Sequence, residues 1–240
     1  KLNYFMKKII LFLLFTTSSI GQNYKIIYGK SVANNPEDLE KITDINVKNN
    51  IININQSFDQ VEYELLINND VAIFNYVKTL KLPGFNPRAI SVGGGSGIHY
   101  YDKKNSLEIY ETEMTEKKYF VKSNINKYNW TITNETKKID NFTCYKAVAT
   151  IFINDFRGKE SHKIEAWFCP EIPFPFGPDI YYGLPGLIFE ANYVNSKVKF
   201  YLKSIVKLDS QIPLVLPQEN IITEEEFTAI FNSEMKKLTE

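Results

Sequence analysis

Four side chains are of the types most often used for catalysis or metal binding: His99, His162, Cys144 and Cys169, since the chain of 240 residues holds 2 His and 2 Cys. Their spacing matches no zinc pattern, and no Cys-x-x-Cys redox pair occurs. We therefore assign no catalytic residue, no metal ligand and no cofactor, and we expect a protein that is not an enzyme. The alternative is a hydrolase with an unrecognised site, which requires a histidine beside a carboxylate or hydroxyl in a cleft.

A glycine-rich stretch, Gly93–Gly97, resembles a phosphate-binding loop only superficially. It lacks the Gly-Lys-Ser/Thr ending of such a loop, and it is not a Gly-x-Gly-x-x-Gly placed between a strand and a helix. Ser96 is not in a nucleophile elbow, because Ile98 stands where the second glycine is needed. The density of Pro and Gly predicts a loop over 82–97, either a functional lid or a disordered link.

Two strands are predicted on either side of a polar turn, Cys144–Ile153 and Glu160–Cys169. Pairing them with Ala147 opposite Ala166 collects apolar side chains on one face of the hairpin. A slip of one residue mixes the two faces, so the pattern favours this register.

The same register places Cys144 opposite Cys169. An exported protein meets an oxidising compartment, so we predict a disulfide between them. The alternative is a pair of free, half-buried thiols.

The composition is that of an ordinary globular protein, with 44% hydrophobic and 23% charged residues. The 28 basic residues balance the 28 acidic ones, so no strong field exists to attract nucleic acid. The sequence shows neither an internal repeat nor a break in composition. We expect one domain over 22–240.

The first segment is typical of a signal peptide, predicted over 1–21. Met6–Lys8 supplies a positive start, Ile9–Phe15 an apolar run and Thr16–Gly21 a small, polar cleavage region. Residues 1–5 precede Met6 and are interpreted as a spurious leader; the alternative to the signal peptide is a buried helix. We expect export to the periplasm or beyond the cell, and no membrane span, because no apolar run reaches about 20 residues.

Most of the chain alternates apolar and polar residues with the period of a strand. The turn signals recur at the spacing of a meandering antiparallel sheet, which predicts a mainly β (α+β) fold with one curved sheet, possibly an open half-barrel. A short helix is expected near 37–42. The remaining strands are predicted at 24–28, 51–54, 61–67, 71–80, 98–101, 107–111, 119–122 and 130–133.

The C-terminal segment is predicted to form an amphipathic helix that packs on the sheet. Thr223 and Glu226 have the spacing of a capping box. One apolar stripe follows, formed by Phe227, Ile230, Phe231, Met235 and Leu238.

One short stretch carries a family resemblance: Gly183-Leu184-Pro185-Gly186-Leu187-Ile188. Together with Trp130, the Cys144–Ala147 element and Ala166–Phe168, it resembles the GLPGLI family over about 130–190. The resemblance implies a Bacteroidetes origin, export and a family of unknown biochemical function, and it supplies no catalytic residue. More loosely, the chain looks like periplasmic lipoprotein carriers with a curved, half-open sheet.

The physical interpretation of this motif leaves two possibilities open. Leu184–Leu187 is predicted to form a type II turn, with Pro185 at its second position and Gly186 at its third, so the motif is a rigid structural corner. Alternatively, four aromatic residues before the motif form a rim at a ligand cleft. These are Phe174, Phe176, Tyr181 and Tyr182.

The leading functional hypothesis is a binding or carrier protein for a hydrophobic small molecule, a lipid or a lipid-modified segment. It depends on the predicted export, the aromatic content of 14% and the missing catalytic motif. The alternative is a structural or accessory partner of an outer-membrane protein complex, with the proline–aromatic segment as its contact surface.

Overall fold

The computed structural model describes residues 23–33, 36–155 and 158–239. The predicted signal peptide lies outside them. In these residues twelve strands form one sheet. They are β1 (Asn23–Val32), β2 (Glu62–Asn68), β3 (Val71–Tyr76), β4 (Ile98–Asp102), β5 (Leu107–Met114), β6 (Lys117–Asn124), β7 (Thr131–Ile139), β8 (Phe142–Asp155), β9 (Gly158–Cys169), β10 (Leu187–Tyr193), β11 (Val198–Leu208) and β12 (Ile221–Thr223).

The strand order across the sheet is β12-β6-β5-β4-β3-β2-β1-β11-β10-β9-β8-β7. Most strands that follow one another along the chain also pair, in antiparallel fashion, and β12 pairs with β6 in parallel. Strand β1 joins the two halves, because it pairs with β2 on one side and with β11 on the other. The sheet is open, as expected for a mainly β fold with a curved antiparallel sheet.

Helices flank the sheet in the described part of the chain: α1 (Pro36–Glu40), α2 (Ile45–Ser57), α3 (Arg88–Ser91) and α4 (Glu224–Thr239), with a 3-10 turn at Phe58–Gln60. The strand predicted at 51–54 was wrong, since these residues lie within α2. The Asp44 carboxylate caps that helix by accepting from the backbone N–H groups of Asn46 and Val47. This cap, with the burial of Ile54 against the core, outweighs the short apolar–polar alternation.

Strands β8 and β9 pair in the predicted register, with Ala147 opposite Ala166 and Ile153 opposite Glu160. The predicted disulfide is not formed: Cys144 and Cys169 are both buried free thiols. Burial raises the pKa of the Cys144 thiol to about 12 and also raises that of Cys169, so the thiolate that attacks an oxidant or a disulfide is scarce.

The Gly183–Ile188 motif forms a tight corner, but not the predicted type II turn. Gly186 lacks the positive φ that such a turn needs, and its N–H instead donates to the carbonyl of Leu184 at 2.8 Å, a turn centred on Pro185. Glycine is required at 186 for space, because a Cβ there would lie 2.2 Å from the carbonyl oxygen of Cys169. Gly183 has the positive φ, at 86°.

The C-terminal helix begins at the predicted capping box. Thr223 N–H donates to the Glu226 carboxylate at 2.7 Å, and Glu226 N–H donates to Thr223 Oγ1 at 3.1 Å. Helix α4 contacts both β6 and β8, two strands near opposite ends of the sheet order, and the Phe227 ring meets that of Tyr119. The Leu238 side chain of the predicted stripe lies outside the described residues. Among the described residues, no helix is both long and apolar enough to cross a membrane.

Candidate functional site

A groove lies where the two ends of the sheet approach each other under α4. It consists of a cavity of about 530 Å³ joined to one of about 300 Å³, and the two share five lining residues, Tyr110, Val121, Lys127, Ile180 and Glu224. The wall on one side comes from β5 and β6, and that on the other from β8. Strands far apart in the sheet order thus face the same space, which shows how strongly the sheet curves.

The larger cavity, called here the apolar end, is lined mainly by hydrophobic side chains. Val121 comes from β6, Ile151 and Ile153 from β8, Ile180 from the segment before the Gly183–Ile188 corner, and Phe227 from α4. Alternation along the strands turns Val121 and Ile151 toward the interior, where both are buried. This end offers an apolar surface in a volume typical of small-molecule sites.

The smaller cavity, called here the polar end, contains a buried histidine between two carboxylates. Strands β4 and β5 pair with His99 opposite Tyr110, which turns His99 and Glu108 into the interior. His99 Nδ1 lies 2.8 Å from Glu108 Oε1, and His99 Nε2 lies 3.3 Å from Asp179 Oδ1. The two carboxylates therefore hold one imidazole from both sides.

The charges of this cluster support one another. Burial alone lowers the pKa of His99, but the close contacts with the Asp179 and Glu108 carboxyl groups outweigh it and raise the pKa to about 9. Burial likewise raises the pKa of Asp179, but its contacts with His99 and the Gly95 N–H leave that pKa below its ordinary value. At neutral pH the His99 imidazole is therefore protonated, with the Asp179 carboxylate on its Nε2 side.

The glycine loop forms the wall beside Asp179, and its conformation depends on a buried lysine. Lys30, only 1% exposed, donates from Nζ to the carbonyl oxygens of Ile90, Val92 and Gly94, at 2.8, 2.8 and 2.6 Å. Burial lowers the pKa of Lys30 to about 7, which the charge of Asp179 opposes. The stretch predicted as a loop at 82–97 is thus ordered on the protein, and it includes the short helix α3.

Three consecutive glycines let this loop approach the cluster. Gly93, Gly94 and Gly95 all have positive φ. A Cβ on Gly94 would lie 2.2 Å from Asp179 Oδ2, and one on Gly95 would lie 2.5 Å from the Tyr63 ring.

A second ion pair lines both the polar and the apolar end of the groove. Lys127, from the turn after β6, lies 2.6 Å from Glu224 at the start of α4. The Lys127 ammonium also lies over the rings of Tyr128 and Tyr182. The helix is thereby tied to the sheet beside the cavity.

The four aromatic residues predicted to form a rim are instead packed in the core. Phe174, Phe176, Tyr181 and Tyr182 are all buried, and Phe174 stacks on Phe176. Tyr182 alone of the four lines the groove, where its hydroxyl lies 3.2 Å from Ser123 Oγ. Of these four aromatic side chains, Tyr182 therefore contributes to the lining of the groove and the other three to the core.

The other histidine lies apart from this cluster. His162 pairs across the hairpin with Ile151, and its side chain is partly exposed beside Glu160. In the described part of the chain, no group of three or more His, Cys, Asp or Glu side chains has an arrangement that could hold a metal ion.

Sequence reasoning missed Glu108, Asp179, Lys30 and Lys127. The sequence did contain one signal for Glu108. This residue lies two positions before Tyr110 in β5, so a charged side chain occupies a position on the strand face that points to the interior. Asp179 and Lys127 lie in turns, where the sequence has no apolar–polar alternation from which a buried side chain could be predicted.

Comparisons with known proteins agree with the fold and assign no activity. A family model described as "Protein of unknown function (Porph_ging)" matches residues 154–190, which include the Gly183–Ile188 corner. No curated protein matches the chain.

Two solved structures of PNGF-II, in different space groups, are similar to this chain. Each is 18% identical with a TM-score of 0.53, and they cover 89% and 88% of this chain. The chain spans about a third of their length, 32% and 33%. At this identity the likeness to the two structures shows a similar fold and nothing more.

Proposed function

We propose that this protein is an exported, non-enzymatic binding or carrier protein whose groove holds a hydrophobic ligand or a lipid-modified segment. The observation that supports the proposal is the groove itself: an apolar end of about 530 Å³ joined to a polar end. An open groove of this volume, lined mainly by hydrophobic side chains with a few polar groups at one end, is typical of a ligand site.

The position of α4 supports the same proposal. The helix supplies Glu224, Phe227 and Thr228 to the lining, and it reaches the rest of the protein through the three-residue strand β12. A small movement of one helix would therefore open the groove along its length. Carriers need such a route, because the bound ligand must enter and leave.

The first test is native mass spectrometry of the mature protein purified from its own envelope, with organic extraction of bound molecules. We expect a stoichiometric apolar ligand. The variant Thr228→Trp fills the apolar end and should lose this ligand, whereas Ala229→Trp, on the exposed side of the same helix, should keep it. A clean apo mass for the wild type under gentle conditions would count against the proposal.

The hydrolase remains a second candidate because its stated requirement is met: His99 lies within hydrogen-bond distance of Glu108 beside a cavity. An imidazolium between two carboxylates is better suited to donate a proton than to accept one. Turnover of an ester or amide that is abolished in His99→Gln, with the fold intact, would favour hydrolysis over carriage.

The accessory-partner alternative has less support. It needed an exposed aromatic surface along Phe174–Tyr182, and its four aromatic side chains are buried.

A further inference from the structure

The polar end of the groove contains a donor that the protein leaves unsatisfied. His99 is 2% exposed and its Nδ1 is bonded to Glu108, whereas Nε2 has no aligned hydrogen-bond partner among the described residues. The nearest acidic oxygen, Asp179 Oδ1 at 3.3 Å, is within ion-pair range but is not positioned to accept its hydrogen. A buried donor without a partner costs about 1–3 kcal/mol, a cost that a ligand atom accepting from Nε2 removes.

We propose that the ligand is an amphipathic alcohol, whose apolar chain lies in the apolar end and whose hydroxyl lies beside the His99–Asp179 contact, within hydrogen-bond reach of both side chains. This inference rests on the proposed carrier function and specifies its ligand. A hydroxyl has the two capacities that the position requires, because its oxygen accepts from His99 Nε2–H while its hydrogen is donated to Asp179 Oδ1.

The charges around this position exclude the two common ionic head groups. An ammonium carries only donors, so it leaves His99 Nε2–H unpaired and adds a cation beside the imidazolium. A carboxylate accepts from Nε2–H, but it cannot donate to Asp179 and lies within a few ångströms of that carboxylate and of Glu108.

The other charged groups facing the polar end do not change this conclusion. Glu224 is paired with Lys127 at 2.6 Å, and the Lys30 ammonium is bonded to the glycine-loop carbonyls. The second oxygen of Glu108 already accepts from Ser123 Oγ at 2.6 Å. A neutral group that both donates and accepts is therefore the one that fits at His99.

The experiment compares four ligands with the same chain: decan-1-ol, decyl methyl ether, decanoate and decylamine. Each is titrated at pH 7 against an apolar fluorescent probe, N-phenyl-1-naphthylamine, bound to the purified protein. We expect decan-1-ol to displace the probe at a concentration about tenfold below that of the ether, which accepts but does not donate. Decanoate and decylamine should be weaker than the alcohol.

The alcohol-to-ether ratio is then measured in two variants. His99→Gln should reduce the ratio to about one, whereas Glu113→Gln, on the same hairpin and outside the polar end, should keep it. A ratio is used because partial unfolding of a variant affects both ligands equally.

The outcomes separate the two proposals. Equal displacement by all four ligands, or strongest displacement by decanoate or decylamine, would overturn the proposal that the ligand is an alcohol. The proposed carrier function would then still stand. If neither the probe nor any of the four ligands binds, the carrier function itself is overturned, and the proposed alcohol ligand with it.

Discussion

Two buried basic side chains on the sheet, Lys30 and His99, are stabilised in different ways. Lys30 donates hydrogen bonds to backbone carbonyls, and the ring centroids of Tyr63 and Phe200 lie 4.9 and 5.1 Å from its Nζ. His99 is held by carboxylates on both sides. Unpaired charges of this kind would be prohibitively costly in the interior, so each group depends on its partners.

The pairing of His99 predicts a dependence of stability on pH. Its pKa is about 9 in the folded protein against an ordinary 6.5, so the folded state binds the proton more tightly than the unfolded state. This contribution to the free energy of unfolding is fully present below pH 6.5 and is lost as the pH rises through 9. The loss is on the order of 3 kcal/mol.

Urea titrations of the wild type and of His99→Gln at pH 6.5 and pH 9 measure this contribution. The change in the free energy of unfolding from pH 6.5 to pH 9 should be more negative in the wild type than in the variant, because only the wild type loses the contribution of His99. Lys30, whose lowered pKa acts in the opposite direction over part of the same range, is common to both proteins and cancels. Equal changes in the two proteins would show that His99 is not charged in the fold.

At the scale of elements, the sequence predicted best where one strand face is consistently apolar. The β8–β9 register follows from that pattern alone, and the structure confirms it residue by residue. The cap of α4 follows from two side chains three residues apart. The pattern fails at α2, where the N-cap and tertiary burial determine that the segment is helical. It also fails at Asp179, because the contact of Asp179 with His99 results from packing between segments 80 residues apart in the chain.

The Gly183–Ile188 corner is an element whose rigidity can be tested. Gly186→Ala places a Cβ 2.2 Å from the carbonyl of Cys169, so either β9 or the corner must shift. We expect the free energy of unfolding to fall by about 2–3 kcal/mol, in the range of overpacking in a core.

Gly84→Ala is the matched control for that substitution. Gly84 has a φ of 85°, but nothing lies within 4 Å of a Cβ built there, so only backbone strain of about 1 kcal/mol is expected. Equal losses in the two variants would mean that the close approach at Gly186 is easily relieved.

At the scale of the whole molecule, one sheet runs through all the described strands. Both tryptophans, Trp130 and Trp167, lie at the β7–β9 end of that sheet. Tryptophan fluorescence therefore reports on one end, whereas far-UV circular dichroism reports on the entire sheet. We predict that the two signals give the same urea midpoint, as a two-state unit requires.

Separate midpoints would mean that the β7–β9 end unfolds on its own and that the chain is divided near β10. The expected single transition has a structural reason, since β1 pairs on both sides and connects the two halves.

The same central place of β1 has a consequence for how the chain folds. Asn23 pairs with Leu208, so the first strand of the sheet acquires one of its neighbours only when a segment near the opposite end of the chain is present. Contacts of such long sequence separation make folding slow, in the range of milliseconds to seconds. A chain that emerges from a ribosome or a membrane channel with its amino end first therefore leaves one edge of β1 unpaired until β11 has appeared. Until then this edge needs protection from aggregation.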